Sequence, residues 1–160
     1  THQIAFNCGV QKRLADIPIW LNEGMAMYFE TPDLRSSTGW RGMGTVNRER
    51  LYQFGSYCKA RPTDSLLTLI SDGRRIQGSS TDPRFQGPDA TLNAYSEAWS
   101  LTYYLLKHKQ KLFVEYLKFL SQKKPGKRDT PEQRIREFEN IFGKIELLEK
   151  DFMRQTTRLR

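Results

Sequence analysis

Pro18-Ile19-Trp20-Leu21-Asn22-Glu23-Gly24-Met25-Ala26-Met27-Tyr28-Phe29 is almost wholly apolar, with one carboxylate in its middle. On a helical wheel no polar face emerges. Trp20, Gly24 and Met27 share one side, Leu21, Met25 and Tyr28 the next, and Ala26 and Phe29 fill the remainder. A helix that is apolar all round is a buried helix. Gly24 costs about 1 kcal/mol relative to Ala inside a helix, which predicts that another backbone passes close by. Glu23 poses a separate question, because a buried carboxylate is costly unless a cation meets it. Three answers are open: a core Arg or Lys, a face more exposed than the wheel implies, or a divalent metal.

The rest of the chain also reads as helices. A first one is expected from Thr1 to about Cys8, stopped by Gly9, and the second from Ile19 to Glu30, entered through Pro18 and ended by Thr31-Pro32. Asp33–Gly44 is rich in Gly and Ser and reads as a surface loop. Further helices are expected over Val46–Lys59, Ser65–Ser71, Asp89 or Thr91 to Lys107, and Lys111–Lys123. Thr130-Pro131-Glu132-Gln133 is a capping box with Pro at the first helical position, opening a helix that ends at Gly143; the last runs from Ile145 to Arg158. Between them Asp72–Pro88 is a long irregular stretch, of the kind that tends to be functional or mobile and that here suits a cleft wall. No strand alternation, repeat or second domain is visible. The expectation is an all-α fold, a single helical domain over residues 1–160.

Composition agrees with a packed domain: 160 residues, 38% apolar and 28% charged. No run approaches the roughly 18 apolar residues of a membrane span. The net charge of +8 invites a nucleic-acid reading. However, the Lys and Arg residues are spread along the chain, densest at Lys107–Lys111 and Lys123–Arg128, where helices end, and solvated helix ends account for them. Cys8 and Cys58 match no metal spacing and read as two buried thiols, with a pairing left open. The chain opens at Thr1 without an initiator Met, which implies missing upstream sequence.

His2 bears on the question of Glu23. It sits in a helical pattern, and twenty residues separate it from Glu23 in Trp20-Leu21-Asn22-Glu23-Gly24-Met25-Ala26. This arrangement resembles the gluzincin zinc metallopeptidases, the peptidase-MA-like group, in which H-E-x-x-H on one helix is completed by a glutamate from a second. The aminopeptidase branch reads W-L-N-E-G-x-A there, with a His-to-Glu gap about two residues shorter. The resemblance implies His2 and Glu23 as metal ligands and zinc as the cofactor of the intact parent. Two histidines four apart point the same way, a facing carboxylate makes three ligands, and a fourth position stays open for water. Zinc would bring that water's pKa toward neutrality, with the helix glutamate as general base. The same branch carries a tyrosine at a later helix start that donates to the oxyanion. Asn93-Ala94-Tyr95-Ser96-Glu97-Ala98-Trp99 opens a comparable helix, so Tyr95 is the candidate catalytic residue, although the Lys-Gly that follows the family's tyrosine is absent. A core or surface tyrosine is the equal alternative.

Glu30 lies seven positions beyond Glu23 on the same side and is either a support for it or a solvated helix end; His108, between two lysines, reads as solvated. Only Thr1-His2 remains of H-E-x-x-H, so the chain as it stands is expected to catalyse nothing and to hold no zinc at full occupancy. The resemblance runs from His2 to about Leu120, and the helices of Pro131–Arg158 are expected to support the rest through Ile135, Phe138, Ile141 and Phe142. Its implied partner is a peptide or protein substrate, with no nucleic acid, and its implied location extracytoplasmic. A non-catalytic peptidase-like scaffold or peptide-binding module is the second reading. A basic nucleic-acid-binding helical domain is the third, and steep salt dependence of binding would mark it.

Overall fold

The computed structural model describes residues 15–30 and 44–159. Its described residues form an all-α protein of seven helices with no strand: α1 Ile19–Phe29, α2 Arg48–Tyr57, α3 Ser65–Ser71, α4 Ala90–His108, α5 Gln110–Ser121, α6 Pro131–Phe142 and α7 Ile145–Thr157. The all-α expectation holds, and helix ends move by a residue or two. Glu30 becomes the cap of α1, whose N–H bonds the Ala26 carbonyl. At α2 the Asn47 side chain takes the Arg50 N–H at 3.0 Å, so the helix starts two residues later than its apolar pattern implied. The capping box at α6 is complete, with Thr130 and Gln133 exchanging bonds of 2.9 and 3.3 Å. Gly143 then ends that helix at φ +82°, a conformation open to glycine. The irregular stretch before α4 holds one short 3₁₀ turn, Pro83–Phe85, capped by Asp82. The helix expected at Thr1–Cys8 and nearly all of the Asp33–Gly44 loop lie outside the described residues.

α4 is the centre, packing against α1, α2, α3, α5 and α7. Its closest partner is α1, on which seven of eleven residues are buried, as the wheel predicts. Gly24 explains the closeness. A Cβ at that position would sit 2.7 Å from the Ala98 carbonyl oxygen and 2.1 Å from Thr102 Oγ1. The backbone expected near Gly24 is therefore that of α4. On its other side α1 is fixed by aromatic packing: Trp20 stacks on Tyr116 at 6.3 Å and meets Phe138 edge-on at 6.0 Å. Burial of rings this size contributes about 1.5–3 kcal/mol each.

The chain entering α1 is clamped to the C-terminal helices. Asp16 accepts from the Asp129 N–H at 2.8 Å and from Arg134 Nη2 at 2.8 and 2.9 Å. Burial would raise the Asp16 carboxyl, but Arg134 and the Asp129 amide outweigh it and hold it below the usual range. Lys123 belongs to the same corner, pairing with Asp129 and Glu137 with its side chain only 11% exposed. This corrects the solvated reading at one position: two carboxylates recruit Lys123, while Lys124, Lys127 and Arg128 are exposed. The supporting role of the C-terminal helices stands, since Phe138 and Phe142 are buried and Ile135 and Ile141 pack beside them.

Gly24→Ala tests the α1–α4 contact. Helix propensity alone would raise stability by about 1 kcal/mol, whereas a Cβ driven into the Ala98 carbonyl costs more than that. A clear fall in the thermal midpoint is expected, and an unchanged or higher midpoint would show that the helices stand further apart.

Candidate functional site

The α1–α4 packing places Glu23 and Tyr95 together. Tyr95, Ala98 and Thr102 lie along one face of α4 at spacings of three and four. Ala98 and Thr102 are the residues that meet Gly24, so the side chain one turn earlier, Tyr95, comes opposite Glu23. Both are half-buried. Burial raises the Tyr95 phenol above its ordinary pKa, the neighbouring Glu23 charge raises it further, and Arg50 opposes them. Arg50, from α2, lies 6.0 Å over the Tyr95 ring. Three helices thus bring a carboxylate, a phenol and a guanidinium to one place. At neutral pH such a phenol is protonated and available as a hydrogen-bond donor.

Of the two expected metal ligands only Glu23 can be placed, because His2 lies outside the described residues. Among the described residues no three His, Cys, Asp or Glu side chains gather as a metal-binding group. What the described residues put on view is a partly buried carboxylate near a phenol, not an assembled set of metal ligands. Glu30 is exposed, as a solvated helix end would be. His108 is exposed too and stacks on Tyr104 at 5.5 Å. Cys58 is half-buried against the core, and Cys8 lies outside the described residues.

Among the described residues the carboxylate that is truly buried is Glu97, on the face of α4 turned away from Glu23. It is fully enclosed and takes Arg61 Nε at 2.8 Å, Arg75 Nη2 at 2.8 Å and the Ser65 hydroxyl at 2.7 Å. Arg61 also reaches Glu149 at 2.5 Å, and Arg75 donates to the Ser65 carbonyl and the Tyr57 hydroxyl. Burial raises the Glu149 carboxyl despite Arg61, and burial with the Glu97 charge raises the Tyr57 phenol. Sequence reasoning missed this cluster, yet its signal was present. Glu97 stands in Ala-Tyr-Ser-Glu-Ala-Trp-Ser-Leu, the same one carboxylate in an apolar helix that marked Glu23. Arg75 comes from the irregular stretch, held there by Phe85 stacked 4.2 Å from its guanidinium. Part of that stretch does line a cleft of about 170 Å³ with Tyr57 and Asn93, although Glu23 and Tyr95 are not among its walls.

Residues 1–127 match the model of a family described as Protein of unknown function (DUF1570), and the chain belongs to that family. The match spans Glu23, Arg50, Tyr95 and Glu97 and stops before α6. Neither the curated proteins nor the solved structures contain a match to the chain.

Glu97→Ala leaves two enclosed guanidinium groups without their shared counter-charge. A loss of about 3–5 kcal/mol is expected, read as a lower urea midpoint. A loss below about 1 kcal/mol would mean that water enters the cluster and screens it.

Proposed function

We propose that the α1–α4 pair carries the ligand carboxylate and the carbonyl-polarising phenol of a zinc-dependent, gluzincin-type metallopeptidase. The observation that supports this reading is the juxtaposition of Glu23 and Tyr95 across the Gly24 contact. Two residues singled out for separate roles, 72 positions apart, lie near enough for the Glu23 charge to act on the Tyr95 phenol. In this reading Glu23 and His2 hold the metal, and the residues preceding Thr1 bring the first histidine and the general base. Zinc would supply a Lewis acid and a nucleophilic water.

The chain's own contributions follow from the geometry. Glu23 is half-exposed, so it can face a ligand without the full desolvation cost that Glu97 offsets with two arginines. Tyr95 is kept protonated by burial and by Glu23, and so can donate to a carbonyl oxygen as negative charge develops there. Burial of Trp20 and Leu21 on one side and Met25 to Tyr28 on the other fixes the direction of α1. Positioning of this kind is what separates an oxyanion donor from a surface tyrosine.

The test uses the full-length protein with the residues upstream of Thr1 in place. Metal analysis should find bound zinc in the wild type and a marked loss in Glu23→Gln; equal zinc in both removes Glu23 as a ligand. In Tyr95→Phe zinc content should be kept while peptide hydrolysis falls by about 10²-fold. Hydrolysis unchanged in that variant removes Tyr95 from the mechanism. Residues other than His and Glu at the two upstream positions would favour the non-catalytic scaffold instead.

A further inference from the structure

We infer that α5 and its two flanks form a docking surface for anionic lipid headgroups. The charge of the chain is concentrated there. From Lys107 to Arg128 there are eight Lys and Arg residues and one acidic residue, Glu115, a net charge of +7 out of +8. The other 18 basic and 17 acidic residues almost cancel. Two of the eight are used internally, Lys109 on Asp151 at 3.5 Å and Lys123 on Asp129 and Glu137. Lys107, Lys111, Lys118, Lys124, Lys127 and Arg128 are exposed, with no ion pair among the described residues.

The helix arranges part of this charge in a row. Lys111 and Lys118 are seven apart, two turns along the same side, opposite the buried Phe113, Tyr116 and Leu120. Lys124, Lys127 and Arg128 continue beyond its C-terminal end, where positive charge also complements the helix dipole. On either side of the row stand Val114, 43% exposed, and Phe119, 37% exposed. This pairing selects the partner. Phosphates along a nucleic acid use the lysines and leave exposed Val and Phe against water, whereas a bilayer surface accepts both. Lysines meet the headgroups while apolar side chains enter the boundary with the acyl chains. Among the described residues no helix is long and apolar enough to cross a membrane, so the attachment is to its surface.

Vesicle co-sedimentation at low salt tests this with the full chain. Binding is expected to phosphatidylcholine vesicles containing phosphatidylserine and not to phosphatidylcholine alone, and it should weaken as salt rises. Each lysine contributes roughly fivefold to such attachment, so Lys111→Glu/Lys118→Glu/Lys124→Glu should weaken it by about hundredfold or more. Lys59→Glu/Arg136→Glu/Arg158→Glu changes the net charge equally at exposed positions elsewhere and should retain most of the binding. Circular dichroism confirms that both variants fold. Equal loss in the two variants, or binding to random duplex DNA with vesicles ignored, overturns the assignment, as does binding to neither.

Discussion

The approach of α1 to α4 at Gly24 is the constraint on which the remaining architecture depends. A hydrogen atom in place of a side chain lets the Ala98 carbonyl and Thr102 lie against the α1 backbone. That distance decides which side chains of the two helices can meet. It sets Trp20 back against Tyr116 and Phe138, and it puts Tyr95 opposite Glu23. The helix-propensity cost of the glycine is about 1 kcal/mol, small beside the aromatic burial that the close packing allows.

α4 carries two carboxylate environments on two faces, and they obey one rule with opposite outcomes. Glu97 is enclosed and is neutralised by Arg61 and Arg75 with Ser65 completing its bonds. Glu23, across the other face, is only partly buried and lies near a phenol. A carboxylate satisfied by two arginines is a structural element. The shallower burial of Glu23 and the phenol nearby are why the functional reading attaches to it rather than to the more deeply buried group.

Much of the fold was legible in the residues because it depends on local chemistry. The capping box at Thr130, the glycine stop at Gly143 and the all-round apolar α1 each follow from side-chain types at short spacing. Helix edges shifted where a polar side chain captured a backbone N–H, as Asn47 does, because several residues nearby offer comparable stops. The candidate site was half legible. Glu23 and Tyr95 were singled out through pattern, but the Arg50–Tyr95 contact and the Arg61–Glu97–Arg75 cluster join residues 45, 36 and 22 positions apart through tertiary packing that no local pattern encodes. The reading of Lys123 as solvated failed for the same reason, since its partners arrive from α6 and the turn before it.

The clamp from Asp16 to Asp129 and Arg134 joins the part of the chain that matches the family model to the part beyond it. The family match ends at residue 127, yet the entry to α1 is fastened by residues just beyond that point, and Trp20 leans on Phe138 further still. The span that the family model covers is therefore shorter than the span that packs together. A chain that stopped where the family match stops would leave the Glu23 helix without Asp129, Arg134 and Phe138, so its orientation is held from outside the matched span.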